Sequence, residues 1–313
     1  MGCGRKRGAR VARWIFAVTL ALGLAWSGLW LTSSRALKAD IADWFEARRA
    51  EGWQAEYSSL TVRGFPSRLD ATLNDVVLMD TAGGIGWQGD FFQVLGLTYR
   101  PGHRILVWPD SQTVTLPSGP VTVQSAGLRA SLIHDAEGVI LRANLEADTF
   151  RQGNISLADM RVGLLDVAGT PGLYRLGMSA GFAGTPADNG LALRAEITFD
   201  RDWQLDSLAG AMPKPARIDL RQGSYTTGGA QLDATGLLEI DAQGRAKGEL
   251  ALTATQWPAL VDSARRSGLI PATLADTLEH ASEGRRDLPL VFDSGQVTLG
   301  DTPLGKAPRL HLP

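Results

Sequence analysis

Ser67-Arg68-Leu69-Asp70-Ala71-Thr72-Leu73-Asn74-Asp75-Val76-Val77-Leu78-Met79 decides the fold. Leu69, Ala71, Leu73, Val77 and Met79 alternate with Arg68, Asp70, Thr72 and Asn74, and Asp75 interrupts the apolar side once. Successive strand side chains point to opposite faces, so this period makes a strand apolar on one face and wet on the other. The pattern returns downstream. Val139, Leu141, Ala143, Leu145 and Ala147 alternate with Ile140, Arg142, Asn144, Glu146 and Asp148. Leu191, Leu193, Ala195, Ile197 and Phe199 alternate with Ala192, Arg194, Glu196 and Thr198, and Leu232, Ala234, Leu238 and Ile240 stand against Asp233, Thr235 and Glu239.

Strands with one wet face belong to antiparallel sheets. Pro117-Ser118-Gly119, Ala136-Glu137-Gly138, Asp241-Ala242-Gln243-Gly244 and Asp293-Ser294-Gly295 supply turn residues between them. About a dozen strands are expected on this spacing. One stretch is helical instead. Pro258 follows Trp257 at a helix start, Leu260, Val261 and Ala264 share a side, and Ser267-Gly268 ends the segment. Pro271 starts a second helix with Leu274 and Leu278 on its stripe, fading near His280 to Gly284.

Upstream the period changes. Trp14 to Leu31 carries no charge, while Arg5, Lys6, Arg7, Arg10 and Arg13 precede it without an acid. As a helix this run reaches roughly 27 Å, near the hydrocarbon thickness of a bilayer. The basic flank predicts a cytoplasmic N-terminus and a domain on the far side. The run exceeds a typical signal core, and its best cleavage candidate, Ser34-Arg35-Ala36, contains a cation, so retention as an anchor is expected. Cys3 precedes the run and cannot be the lipid-bearing cysteine of a lipoprotein; Lys6 stands where myristoylation needs Ser or Thr. From Arg35 to Trp53, Leu37, Ile41, Trp44 and Phe45 form a helical stripe that is expected to dock on the domain.

Composition narrows function. Setting the five tail cations aside takes the formal charge from −2 to −7. An acidic domain without a basic patch is a poor nucleic-acid binder. Hydrophobic content of 44% supports a sizeable core, and one cysteine leaves no intrachain disulfide to help it. The organisation expected is a basic tail over 1–13, a membrane helix over 14–31, an amphipathic helix over 32–53 and a sheet domain over 54–313, with the helical pair inserted at about 257–283. The fold class is α+β and strand-dominated, with one large twisted antiparallel sheet.

Chemical motifs are scarce. Gly84-Ile85-Gly86-Trp87-Gln88-Gly89 has dinucleotide-fingerprint spacing, but Gly96 and Pro101-Gly102 fall where a crossover helix is needed, so a glycine-rich hairpin is expected. His103, His134, His280 and His311 lack ligand spacing, and no nucleophile elbow or zinc helix occurs. Asp159 and Asp166 read as solvated strand positions. Catalytic, cofactor and metal residues are therefore expected to be none. Trp53, Trp87, Trp108, Trp203 and Trp257 suit either plugs of the sheet core or walls of an apolar cavity.

Arg63-Gly64-Phe65-Pro66-Ser67-Arg68-Leu69-Asp70, Tyr99-Arg100-Pro101-Gly102-His103, Trp108-Pro109 and the closing Leu299-Gly300, Pro303-Leu304-Gly305 and Ala307-Pro308 give the chain its one resemblance. In their order it resembles the bacterial domain of unknown function 2125 family, departing at Gly102, where a polar residue such as Asn is expected and its absence implies a looser turn. The resemblance implies an uncharacterised protein anchored in the bacterial inner membrane with a periplasmic domain, and supplies no catalytic residues. The helix-then-sheet layout also looks like the larger AsmA-type proteins associated with lipid movement, a likeness of fold alone.

Many half-apolar strands and few helices leave apolar surface to cover. The first expectation is a non-enzymatic protein holding a lipid or other apolar ligand, lined by Leu141, Leu145, Leu193, Ile197 and Phe199. The second is a structural or assembly module that binds another envelope protein through an open sheet edge. The third is a hydrolase of envelope polymers. A continuous apolar groove, a buried face with a free edge, and converging polar groups would separate them.

Overall fold

In a computed structural model the chain is described over residues 4–208, 212–266 and 270–310. Cys3, His311 and the helix stop expected at Ser267-Gly268 lie outside these residues. The architecture is a strand-dominated α+β fold: eighteen strands in one sheet, every pairing antiparallel.

The sheet is a meander. β1 (Gln54–Glu56) and β2 (Ser59–Arg63) lie end to end along β3 (Arg68–Asp80), which pairs with β4 (Ile85–Leu97). β5 (Arg100–Val107) and β6 (Ser111–Leu116) lie end to end along β4. β7 (Gly119–Ala126) pairs with β6 and β8 (Arg129–His134) with β5, and both pair with β9 (Ile140–Gln152). From there each strand pairs with the next: β10 (Ile155–Asp166), β11 (Leu173–Phe182), β12 (Gly190–Phe199) and β13 (Pro215–Thr227). β14 (Ala230–Ile240), β15 (Ala246–Thr255), β16 (Asp287–Asp293), β17 (Gln296–Leu299) and β18 (Thr302–Lys306) complete it. Three rows each consist of two collinear strands, so eighteen strands make fifteen rows, more than the dozen expected.

The kinks within rows fall on one line, a crease across the first half of the sheet. Asp75 on β3 (φ 49°) and Asp159 on β10 (φ 50°) are left-handed. Pro109 and Gly127 separate the collinear strands between them. Short polar residues tolerate this conformation where branched ones do not. Asp75 also accepts from Ser58 Oγ at 2.6 Å. A left-handed residue turns the pleat over, which corrects the expected inward set: after Asp75 it is Val76, 1% exposed, and Leu78 that pack inward, in place of Val77 and Met79. The glycine-rich segment forms the β3–β4 hairpin, and Ile85 to Leu97 is strand throughout, which leaves no crossover helix for a dinucleotide.

The expected membrane and amphipathic segments form one uninterrupted helix, α1 (Gly4–Ala50). Trp14 to Leu24 stand exposed, free of the domain, whereas Phe45 is buried with Ile41 and Trp44 against Leu60, Leu73, Val76 and Phe92. The helix stops because Gly52 takes φ 89°, letting Trp53 N donate to Arg48 O and Gly52 N to Arg49 O, a Schellman turn that needs a left-handed residue. α2 (Trp257–Arg266) and α3 (Ala272–Ser282) pack through Trp257, Leu260, Leu278 and Ala281 on Ala230, Ala254, Leu288 and Leu299. A third cluster joins Leu128, Ala147, Leu157, Met160 and Ala180 in the middle of the sheet.

Candidate functional site

Directly opposed residues in an antiparallel ladder share a face, so register defines the sheet surface. Val62 opposes Ala71, then Val94, Leu106, Ala130 and Leu145 follow across β4, β5, β8 and β9. The same row continues through Val162, Met178, Leu193, Gly223, Ala234, Leu252 and Leu288 on β10 to β16. No polar side chain interrupts it. The row beside it runs Leu69, Gly96, Arg104, Leu132, Ala143 and Leu164, then Leu176, Ala195, Leu220, Gly236, Leu250 and Leu290. Only Arg104 is charged there.

The opposite face is wet. Its rows contain Arg129, Glu146 and Arg161 in register, with Arg129 Nε donating to Glu146 at 2.5 Å. Glu196 is bridged by Arg175 at 3.3 Å and Arg221 at 3.0 Å, and its pKa falls, first through the hydrogen bond from Arg221 and then that from Arg175. Two open hollows, of about 660 and 510 Å³, are lined mainly from this side. Gly163 and Gly177 floor the smaller one between Asn144 and Arg194.

Helices cover the apolar face only at its lateral ends. α1 lies on β1 to β3, and the α2–α3 pair lies on the last strands. Between them no described α-helix lies on β9 to β12, and only the segment after β12 reaches the face, where Trp203 N donates to the Tyr174 hydroxyl at 3.0 Å. Of the ligand-lining candidates, Leu145 and Leu193 stand in the same row, joined by Val162 and Met178. Ile197 lies further along the same side of β12, between Tyr174 and Ile218. Phe199 meets Tyr174 and Trp203 edge-on at 5.8 and 5.5 Å, closing one end of the face. Leu141 does not join them: a bulge between the Arg142–Ile133 and Ile140–His134 pairs turns it outward, 36% exposed, and puts Ile140 inward in its place. Leu145 packs beside the middle cluster; Leu193 and Ile197 are half-buried and belong to none.

The tryptophans divide between these roles. Trp87 packs under α1 and donates to Gln112, Trp108 joins the middle cluster, and Trp257 donates to Arg286 O at 3.2 Å under the helical pair. Trp53 sits near the Arg48 guanidinium, 5.9 Å from its ring centre. Two that the reading above did not single out matter more. Trp26 Nε1 donates to Pro66 O at 2.9 Å and Trp30 Nε1 to Arg68 O at 2.7 Å, while Trp30 meets Phe65 edge-on at 5.6 Å. Their spacing of four, one helical face at the outer end of the apolar run, is the signal that could have found them.

These bonds bring two resemblance motifs to one tip of the sheet. Thr98 N and Oγ1 both donate to Ser67 O, at 3.0 and 3.1 Å, tying the β4–β5 turn to the β2–β3 loop. Phe65 and Tyr99 project from it, 55% and 61% exposed. Gly64 takes φ 111°, and a Cβ there would lie 2.6 Å from that of Arg68, so only glycine makes this loop. The turn expected over Tyr99 to His103 is confined to Thr98-Tyr99, and Gly102 lies in β5. Its lack of a side chain reflects crowding rather than looseness: a Cβ would lie 2.5 Å from His134 O. His103 bonds Ser131 Oγ at 2.9 Å.

The carboxylates do not converge on a reaction centre. Asp159 lies on the crease and Asp166 at the end of β10, about 23 Å along the strand. Burial, then the charges of Asp202 and Asp135, push the Asp166 pKa up. Those neighbours staple turns: Asp135 accepts from Val139 N at 2.8 Å and Asp202 from Gly172 N at 2.5 Å. No group of metal-ligating side chains occurs among the described residues. α1 is the one described helix long and apolar enough to cross a membrane.

The profile of the family described as "Uncharacterized protein conserved in bacteria" (DUF2125) matches residues 30–308. No curated protein and no solved structure matches, so the likeness to AsmA-type proteins has no counterpart here.

Proposed function

The chain belongs to the DUF2125 family of bacterial proteins, and from that premise we propose that it is a non-enzymatic, membrane-anchored protein whose half-buried, helix-free apolar sheet face holds a lipid or similar ligand in the periplasm. The observation that carries this is the unbroken apolar row from Val62 to Leu288, packed under α-helices at both ends and, among the described residues, under none in between. Apolar area left in water costs about 25 cal/mol per Å², and contiguous exposed patches mark interaction surfaces.

The anchor supports it. The basic residues before Trp14 favour a cytoplasmic N-terminus, with the inner membrane as the host bilayer. Trp26 lies about 7 Å below Leu31 along the helix. The Phe65-Pro66 loop bonded to it then sits at the depth where amphipathic groups enter the headgroup region. There an indole N–H paired with a backbone carbonyl relieves both of an unmet hydrogen bond. The foot of the sheet thus stands on the lipid, with the helix-free face rising from it.

The scaffold reading is weaker on one observation: β18, a free edge, carries Pro303 and Lys306, residue types that discourage strand addition. The test is organic extraction and mass spectrometry of the Arg35–Pro313 fragment purified from an envelope fraction without detergent. Lipid at near one per protein is expected, and absent from the Leu193→Asp variant. A folded, empty wild-type fragment contradicts the proposal and directs the search to a protein partner.

A further inference from the structure

Arg104 does not fit the surface on which it stands. Its register partners are Gly96 and Leu132, and Gly102 and Leu106 flank it on the same side of β5. Nη1 is buried and has no hydrogen-bond partner among the described residues. Burial pulls the guanidinium pKa below its ordinary value, yet arginine remains charged at any physiological pH. Gly96 keeps the space open, since a Cβ there would overlap Nη1. A half-buried charge held against apolar neighbours without a counterion is destabilising, and replacing it with an apolar residue usually stabilises a fold. Such a position is suited to an anion that arrives from outside.

We infer that Arg104 receives the phosphate or carboxylate head of an amphiphile whose chain lies along the apolar rows towards Leu145 and Leu193. The path spans six adjacent strands, β5, β8, β9, β10, β11 and β12, whose five spacings of about 4.8 Å make roughly 24 Å. The head then lies near the sheet tip formed by Phe65 and Tyr99, the end from which a bilayer lipid would enter. This inference rests on the apolar-ligand reading above.

The test uses the full chain in an uncharged detergent, doped with photoactivatable probes sharing one acyl chain: a fatty acid, a phosphatidic acid and the neutral fatty alcohol. The wild type should be labelled by the anionic probes ten- to a hundredfold over the alcohol, the worth of a charged hydrogen bond. Arg104→Gln should bring that ratio near one while alcohol labelling persists. Equal labelling in the wild type, or a ratio that survives Arg104→Gln, overturns the role of Arg104 alone. No labelling by any probe overturns the apolar-ligand reading itself. The thermal midpoint of the ligand-free protein gives a second readout: Arg104→Met should raise it, and a fall would show that Arg104 already has a partner. Inorganic phosphate alone should leave the wild-type midpoint unchanged; a rise abolished in Arg104→Gln would assign a free-anion site and overturn the amphiphile.

Discussion

The two lateral ends of the apolar face and its middle have the same strand pattern and different fates. Leu73 under α1 is 2% exposed, and Leu288 and Leu299 under the helical pair are 2% and 1% exposed, while Leu193 and Ile197 are only half-buried. Alternation tells which side a residue faces. It does not tell what covers that side. The helices bury the ends; in the middle the cluster around Ala147, Leu157 and Met160 is buried without a helix, while Leu193 and Ile197 stay half-buried.

Mutations can break this contrast, the ends first. Trp257→Ala or Phe45→Ala should cost about 3–5 kcal/mol in chemical denaturation, the usual range for removing a buried aromatic side chain. The same experiment on Leu193→Asp should show a loss of about 1 kcal/mol or less, with ligand binding abolished. Global unfolding of that variant would mean the middle is closed core as well, and the contrast would vanish.

The crease sharpens the contrast from inside the sheet. Asp75→Val places a branched residue at φ 49° and should cost about 1–2 kcal/mol, while Asp75→Asn stays within about 0.5 kcal/mol of wild type. Equal effects of the two would show that the left-handed turn does not set the inward residues of β3.

The smallest effect lies at the end of β10. The Asp166 pKa is raised, so the folded state holds its proton to higher pH than the unfolded chain does. Its contribution to stability is therefore lost as pH rises through that raised value. Asp166→Asn should raise the melting temperature at pH 7 and make no difference well below the ordinary carboxylate range. Glu196 and Asp241 act in the opposite sense, their lowered values favouring the fold above the ordinary range and losing that benefit as pH falls. A melting temperature of Asp166→Asn below wild type at pH 7 would show that the carboxylate is satisfied where it lies.

Much of this was legible from the chain. Period two gave the antiparallel sheet, and the placement of Leu145 and Leu193 on one face followed from it. The stripe of Ile41, Trp44 and Phe45 predicted the docking of α1, and Pro258 and Pro271 marked the helical pair. What the period could not show was where it reverses. Val77 and Met79 face away from the core because a single backbone angle at Asp75 inverts the pleat without changing composition. Arg104 was legible in principle, since Arg104 and Leu106 share a parity, but its isolation emerges only when Gly96 and Leu132 are set beside it. The bonds from Trp26 and Trp30 join residues about forty apart in sequence, which no local pattern encodes.

The most direct test of the helix-free middle is a photo-crosslinking amino acid placed singly at Leu193, Ile197, Arg194 and Leu288 in the full chain, irradiated in living cells, with adducts identified by mass spectrometry. Leu193 and Ile197 face the proposed ligand, Arg194 the wet side and Leu288 the helix-covered core. A ligand-holding middle predicts lipid adducts at Leu193 and Ile197 and none at Arg194 or Leu288. Adducts at all four positions alike, or none at Leu193 and Ile197, would contradict it.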